Sequence, residues 1–357
     1  MRIAQISPLW ESVPPLRYGG TERVVHYLTE ELVRRGHDVA LFASGDSQTS
    51  ADLRPVVPQA LRLGGVSGDP TVHEIIQLDR VVEQADQFDI LHFHTGHFHF
   101  PVATRLAVPF LNTLHGPLNA PEQVRLYDHF QQVPLVSISE AQRRPVPKAH
   151  WLGTIHHGLP NDLYTLNPSP AGYLAFIGRI SPEKRLDRAI EIAAAVGLPL
   201  RVAAKVDRAD QAYYRDVIAP MLADNPQVEF IGEVDDAGKQ ELLGGALALL
   251  FPIDWPEPFG LVMIEANACG TPVIAWRNGS TPEVIRPGVN GELVESIEEA
   301  VAAVRRIDQL DRARIRADFE TRFSVTRQAE QYERLYRHQI QVRQSSSRNV
   351  VPMLHAA

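Results

Sequence analysis

The chain has 357 residues, about twice the length of an ordinary domain, so two domains are the starting expectation. Apolar residues make up 44% and charged residues 22%, the balance of a soluble globular protein. The formal net charge of -8 argues against bulk nucleic-acid binding, but leaves room for a peripheral membrane contact through a clustered local patch. A single cysteine, Cys269, excludes an internal disulfide framework, and no apolar run approaches the roughly 20 residues of a membrane span. The expected location is the cytoplasm, free or at the inner face of the membrane.

In the first half, strand-length apolar runs fall at Arg2–Ser7, Asp38–Phe42, Ile90–Phe93, Phe110–Leu114, Leu135–Ile138 and Thr154–His157. Between the first two lies a helix, with Thr21 as N-cap, an apolar face of Val24, Val25, Leu28 and Leu32, and Gly36 at its end. The stretch Asn161–Gly172 is polar, with two prolines and a glycine, and reads as a linker. A second series follows: strands at Tyr173–Ile177, Leu200–Ala204, Val228–Ile231, Ala248–Phe251 and Val273–Ala275, with helices at Glu183–Val196, Arg208–Ala223 and Asp236–Leu243. Strand-helix alternation implies parallel pairing with right-handed crossovers. The predicted fold is therefore α/β, two doubly wound Rossmann-like sheets facing across a cleft, with ligands beyond the carboxyl ends of the strands. The domains are expected at 1–163 and 171–325, and the segment 344–357 as a frayed tail.

Three stretches carry chemistry. Tyr18-Gly19-Gly20-Thr21 follows the first strand and opens a helix, where glycines permit close backbone approach and a helix N-terminus favours anions. A bare Gly-Gly is also an ordinary loop, and there is no G-x-G-x-x-G, which argues against a nicotinamide or flavin enzyme. Gly178-Arg179-Ile180-Ser181-Pro182-Glu183-Lys184 leaves a strand for a helix that Ser181 is expected to cap. Arg179 and Lys184 would lie near the carboxyl end of the sheet, where fixed cations can hold a diphosphate; two solvated surface cations are the alternative. Finally, the stretch from Asp254 to Ala266 contains two prolines, and a helix is expected to begin near Phe259. Glu265 lies among apolar residues and needs a partner or a polar cleft. Eight residues of helix from Glu257 would rise about 12 Å. That exceeds the roughly 5–9.5 Å between the carboxyls of a glycosidase, so the two glutamates are not expected to form a hydrolytic dyad.

Taken together, these stretches resemble the family 4 retaining glycosyltransferases of the GT-B fold. The resemblance rests on the E-x7-E pair Glu257 and Glu265, the Arg-x4-Lys pair Arg179 and Lys184, the Gly19-Gly20 loop and His115-Gly116. It extends over nearly the whole chain, through Thr281-Pro282-Glu283-Val284-Ile285 and on to Phe323-Ser324 and Tyr332. It implies a hexosyl group moved from a nucleotide-diphosphate sugar, UDP- or GDP-linked, to an acceptor hydroxyl, with no metal or other cofactor. Arg179 and Lys184 would neutralise the leaving diphosphate, Glu257 would bind the donor sugar and Glu265 the ribose. The amides of Phe259, Gly260 and Leu261 would meet the phosphates, Gly19 and Gly20 would close the site, and His115 would lie near sugar and acceptor. The resemblance also implies that a C-terminal helix at about 326–343 packs on the first domain. The sequence departs from the family where glycine often follows the motif lysine, since Arg185 stands there, and in the Thr281-Pro282 lead to Glu283.

Other readings carry less. A nucleotide-sugar epimerase, or a protein that binds nucleotide sugars without turnover, are the alternatives. The run His92 to His99 places alternate histidines on one side of a strand, but no carboxylate or cysteine nearby completes a metal set. An acceptor-site role and plain packing both stay open for it. Arg143-Arg144-Pro145-Val146-Pro147-Lys148 reads as a solvated basic loop, and Cys269 as packing.

Overall fold

In the computed structural model the described residues are 1–16, 19–62, 64 and 69–350. Two compact units divide them. Unit 1 comprises Met1–Ile138, Arg143–Gly158 and the segment from Val325 onward; unit 2 comprises Ser139–Gln142 and Leu159–Ser324.

Unit 1 is built on β1 (Arg2–Ile6), β2 (Asp38–Ser44), β3 (Asp52–Val57), β4 (Ile90–Phe93), β5 (Phe110–Thr113), β6 (Leu135–Ser137) and β7 (Trp151–Thr154). They form one parallel sheet in the order β3-β2-β1-β4-β5-β6-β7. The period of two along each strand sorts side chains to opposite faces. Ile3, Val39, Ile90, Leu111 and Val136 pack with Leu28 and Leu32 of the helix Gly20–Arg34, and with Ala329, Tyr332 and Tyr336 of the helix Val325–Val350. Ala4, Ala40, Leu91, Phe93 and Leu135 pack on the other side with Val81 of the helix Thr71–Glu83. The helix Val325–Val350 is further held by Glu333, which accepts from Arg35 Nε at 2.6 Å, His37 Nε2 at 2.9 Å and Arg337 Nη2 at 3.0 Å. This helix continues past Arg343 to Val350, where a frayed segment is expected from composition; residues 351–357 lie outside the described ones.

Unit 2 repeats the plan with β8 (Tyr173–Arg179), β9 (Leu200–Lys205), β10 (Val228–Gly232), β11 (Ala246–Phe251), β12 (Val273–Trp276) and β13 (Gly291–Val294). Its parallel order is β10-β9-β8-β11-β12-β13. In both sheets the strand order reverses beside the first strand, at β1/β4 and at β8/β11. A crevice opens at such a point because the connections leave to opposite faces.

The differences from the sequence expectation lie mostly at sheet edges. β3 and β13 are edge strands without a long apolar run, and β3 contains Pro55, which an edge tolerates because no neighbour needs its N–H. The last strand of unit 1 is Trp151–Thr154 and not Thr154–His157; it too is an edge, and all four of its residues are only half-buried. The expected helical stretch at Arg208–Ala223 is found, helical from Arg208 to Asp224, but it is irregular: it opens with a 3-10 turn and contains a π-helical segment, Tyr214–Ile218, just ahead of Pro220. Among the described residues no helix is long and apolar enough to cross a membrane.

Candidate active site

The charged residues of unit 2 gather where the strand order reverses. Arg179 is the last residue of β8, Lys184 follows five residues of turn later, and Glu257 lies shortly after the end of β11. Lys184 Nζ forms an ion pair with Glu257 Oε2, and the same oxygen accepts from Trp255 Nε1 at 2.9 Å. The ammonium also lies over the Trp255 ring, 4.8 Å from its centre, and 5.8 Å from that of Phe251. An ammonium between a carboxylate and aromatic faces is held in place, yet one of its three protons can still turn toward an anion. Arg179 pairs with Glu183, and its Nε lies 3.3 Å from Asp210 Oδ2.

The expected cap at Ser181 is not formed. Residues 181–185 make a turn, and the helix begins later, at Leu186. Arg185 takes the N-cap place with φ 56° and ψ 51°, a left-handed conformation that costs a side-chain-bearing residue about 1–2 kcal/mol. This is the position where the resemblance noted above would place a glycine. Bonds from Arg185 to Asp187 at 2.8 Å and to Asp254 at 3.0 Å hold it there.

The second glutamate stands apart from the first. The helix runs Leu261–Ala268, not from Phe259, because Gly260 adopts φ 79° and turns the chain immediately before it. Glu265, 2% exposed, finds its partner in Lys239 Nζ at 2.7 Å, from the helix Asp236–Gly245. Glu257 and Glu265 therefore hold two different lysines. Cys269, fully buried near Glu265, has its thiol pushed up to about 12 by burial and then by that carboxylate, which suits packing and not nucleophilic chemistry.

Gly279 is a site-shaping residue without a motif. Its φ is 56°, and a Cβ there would fall 2.7 Å from Pro256 C and closer still to the amide nitrogen and carbonyl oxygen of Glu257. Ser280 N–H donates to Glu257 O at 3.0 Å, and Ser280 Oγ donates to Phe259 O at 2.8 Å. The turn after β12 thus fixes the backbone of 257–259. The signal was present as Asn278-Gly279-Ser280, an ordinary turn sequence that does not say what it packs against. Lys239 was equally hidden, since its partner lies in another helix.

Gly19, Gly20 and His115 belong to unit 1. Gly19, with φ 148°, is the N-cap in place of Thr21, and a Cβ on it would approach Pro15 Cβ to 2.8 Å. Gly20 opens the helix Gly20–Arg34; Tyr18 of the same motif lies outside the described residues. Glu22 in its first turn is buried, and desolvation raises its carboxyl to about 7. His115, half-buried, follows β5 and joins the buried His92 and His94, all held neutral by desolvation. Among the described residues no group of three or more His, Cys, Asp or Glu is arranged to hold a metal ion.

Comparison with known proteins decides the family. The family described as Glycosyl transferases group 1 matches residues 165–329, and that described as Glycosyltransferase Family 4 matches residues 18–175. The chain is a family 4 glycosyltransferase. A phosphatidyl-myo-inositol mannosyltransferase of Mycobacterium leprae is 27% identical over 94% of this glycosyltransferase and 96% of its own length. AviGT4, a glycosyltransferase involved in avilamycin A biosynthesis, is 25% identical over 95% of this chain and 98% of its own, with a TM-score of 0.73. HepE of Anabaena, solved with UDP-glucose, is 20% identical over 94% of this chain and 99% of its own, with a TM-score of 0.69. The glycosyltransferase has the GT-B fold of these neighbours, with two Rossmann-like parallel sheets.

Proposed function

We propose that the enzyme moves a hexosyl group from a UDP- or GDP-sugar to a hydroxyl of a glycan, lipid or small molecule, with retention at the anomeric carbon. The observation that carries this reading is the gathering of Arg179, Lys184 and Glu257 beyond the carboxyl ends of β8 and β11. Charge grows on the diphosphate as the glycosidic bond breaks, and fixed cations stabilise that state more than the ground state. Arg179 and Lys184 supply those cations, so neither a metal nor another cofactor is part of the proposal. Glu257 holds Lys184 and offers its second oxygen to sugar hydroxyls, while Glu265, set against Lys239, takes the ribose. Backbone amides at Phe259, Gly260 and Leu261 point the helix N-terminus at the phosphates. His115, with Gly19 and Gly20, contributes the sugar and acceptor side. Support for the donor class comes from HepE, which binds UDP-glucose, and for a hexosyl group from the mannosyltransferase name of the M. leprae relative.

The test combines binding with turnover. A matched nucleotide sugar among UDP-, GDP- and ADP-linked donors should raise the melting temperature, because only the folded state binds it. Lys184→Ala should lower transfer about 100- to 1000-fold, the usual effect of losing one group that stabilises transition-state charge. Wild-type rates in this variant, or conversion of labelled donor to an epimer, would overturn the reading.

A further inference from the structure

The interior of unit 1 contains a connected polar network that ends on His115. Gln5, in β1 and fully buried, donates from Nε2 to the Tyr336 hydroxyl at 3.1 Å, and its Oε1 accepts from His94 Nε2 at 2.7 Å. An amide oxygen can only accept, so the His94 proton resides on Nε2. His94 Nδ1 is then a lone pair, and the atom 2.9 Å from it, His115 Nε2, must be the donor. Burial holds the His115 ring down to about 3, so it carries one proton and its Nδ1 carries none. That Nδ1 is buried without a hydrogen-bond partner.

The rest of the network is consistent with this orientation of Gln5. The Tyr336 hydroxyl receives the Gln5 N–H and donates onward to His92 Nδ1 at 2.7 Å, and His92 Nε2 lies 2.7 Å from Thr113 Oγ1. Tyr336 comes from the helix Val325–Val350, so the end of the chain orients a ring on the loop after β5. A ligand hydroxyl that completes the bond to His115 Nδ1 would satisfy that buried acceptor.

We propose that Gln5 and Tyr336 are positioning residues that lock His115 in its Nε2–H tautomer, presenting Nδ1 as an acceptor for a carbohydrate hydroxyl. The proposal rests on the reading of His115 as a sugar-facing residue. A neutral ring with a bare nitrogen accepts from an O–H, whereas the opposite tautomer would donate an N–H to the hydroxyl oxygen and reverse the direction of the bond.

The test uses the full-length enzyme with 15N-labelled histidine, and reads each ring's tautomer from its nitrogen-proton NMR correlations. Wild type should show His115 protonated on Nε2 and bare on Nδ1, and the Nδ1 resonance should move when UDP-glucose or GDP-mannose binds. A shift with the donor alone identifies a donor hydroxyl; one that needs the acceptor identifies the acceptor. Gln5→Leu should mix or reverse the tautomer and lower kcat about tenfold, the value of one hydrogen bond of about 1.4 kcal/mol, with affinity for UDP or GDP unchanged. Tyr336→Phe, which keeps Gln5 but removes one of its two anchors, should give a smaller change of the same sign. Tyr332→Phe removes an equally buried hydroxyl that bonds Thr113 at 2.9 Å, further from Gln5 along the same network, so its effect on both quantities should be the smallest of the three. A protonated Nδ1 in wild type, or an unaltered tautomer in both the Gln5 and Tyr336 variants, overturns the relay. An altered tautomer with unaltered kcat overturns the sugar-facing role of His115 and leaves the charged site of unit 2 untouched.

Discussion

Gly279→Ala should damage the enzyme far more than its position in a surface turn suggests. Two costs add. A side chain at φ 56° costs about 1–2 kcal/mol, because Cβ crowds the following carbonyl. The new methyl group would also overlap the backbone of Pro256 and Glu257, and forced overpacking of this kind costs about 1–3 kcal/mol. The sum is about 2–5 kcal/mol. Gly288 provides the control: its φ is 73°, but nothing lies within 4 Å of the Cβ an alanine would add. Gly288→Ala should therefore cost only the first term, about 1–2 kcal/mol. At about 2–4 °C per kcal/mol for a unit of this size, the two melting temperatures should differ by roughly 2–12 °C. The turn must move off Glu257 to admit the methyl group, and, with Glu257 in its proposed donor-binding role, a displacement of about 1 Å there should cost up to about 100-fold in rate. Thermal unfolding followed by circular dichroism, with transfer assayed on the same preparations, measures both effects. Equal melting temperatures and equal rates for the two alanine variants would refute the claim that Gly279 holds the Glu257 backbone.

Arg185 and Glu333 offer two further checks. Arg185→Gly should be more stable than Arg185→Ala by about 1 kcal/mol, since both lose the bonds to Asp187 and Asp254 but only glycine escapes the left-handed penalty, part of which its freer unfolded chain gives back; urea unfolding of the pair reads the difference. Side-chain bonds from Arg35, working against burial, hold the Glu333 carboxyl down to about 2 from 4.5. A depressed carboxyl pKa stabilises the fold in full above about 4.5, and that stabilisation is lost as pH falls from there to about 2. The stability gap between wild type and Glu333→Gln should accordingly be widest above pH 5 and shrink steadily below pH 4.5; a gap independent of pH would count against the Arg35 pairing.

The sequence alone determined the plan of the molecule. Buried parallel strands read as apolar runs, helices as a 3.6-residue stripe, and their alternation permits only parallel sheets with right-handed crossovers. It also singled out Arg179, Lys184, Glu257 and Glu265, because charge next to an apolar strand or inside an apolar helix is costly without a purpose. The strands it missed or displaced, β3, β7 and β13, are sheet edges, where one side meets solvent and the apolar signal fades. Tertiary structure decided what depends on contact through space. Only the fold brings Lys239 to Glu265, sets Gly279 against the Glu257 backbone, and carries Tyr336 to Gln5 so that His94 can orient His115. Local sequence fixes periodicity and conformational preference over a few residues; the partner of a buried charge or ring nitrogen is chosen by the packing of elements far apart in the chain.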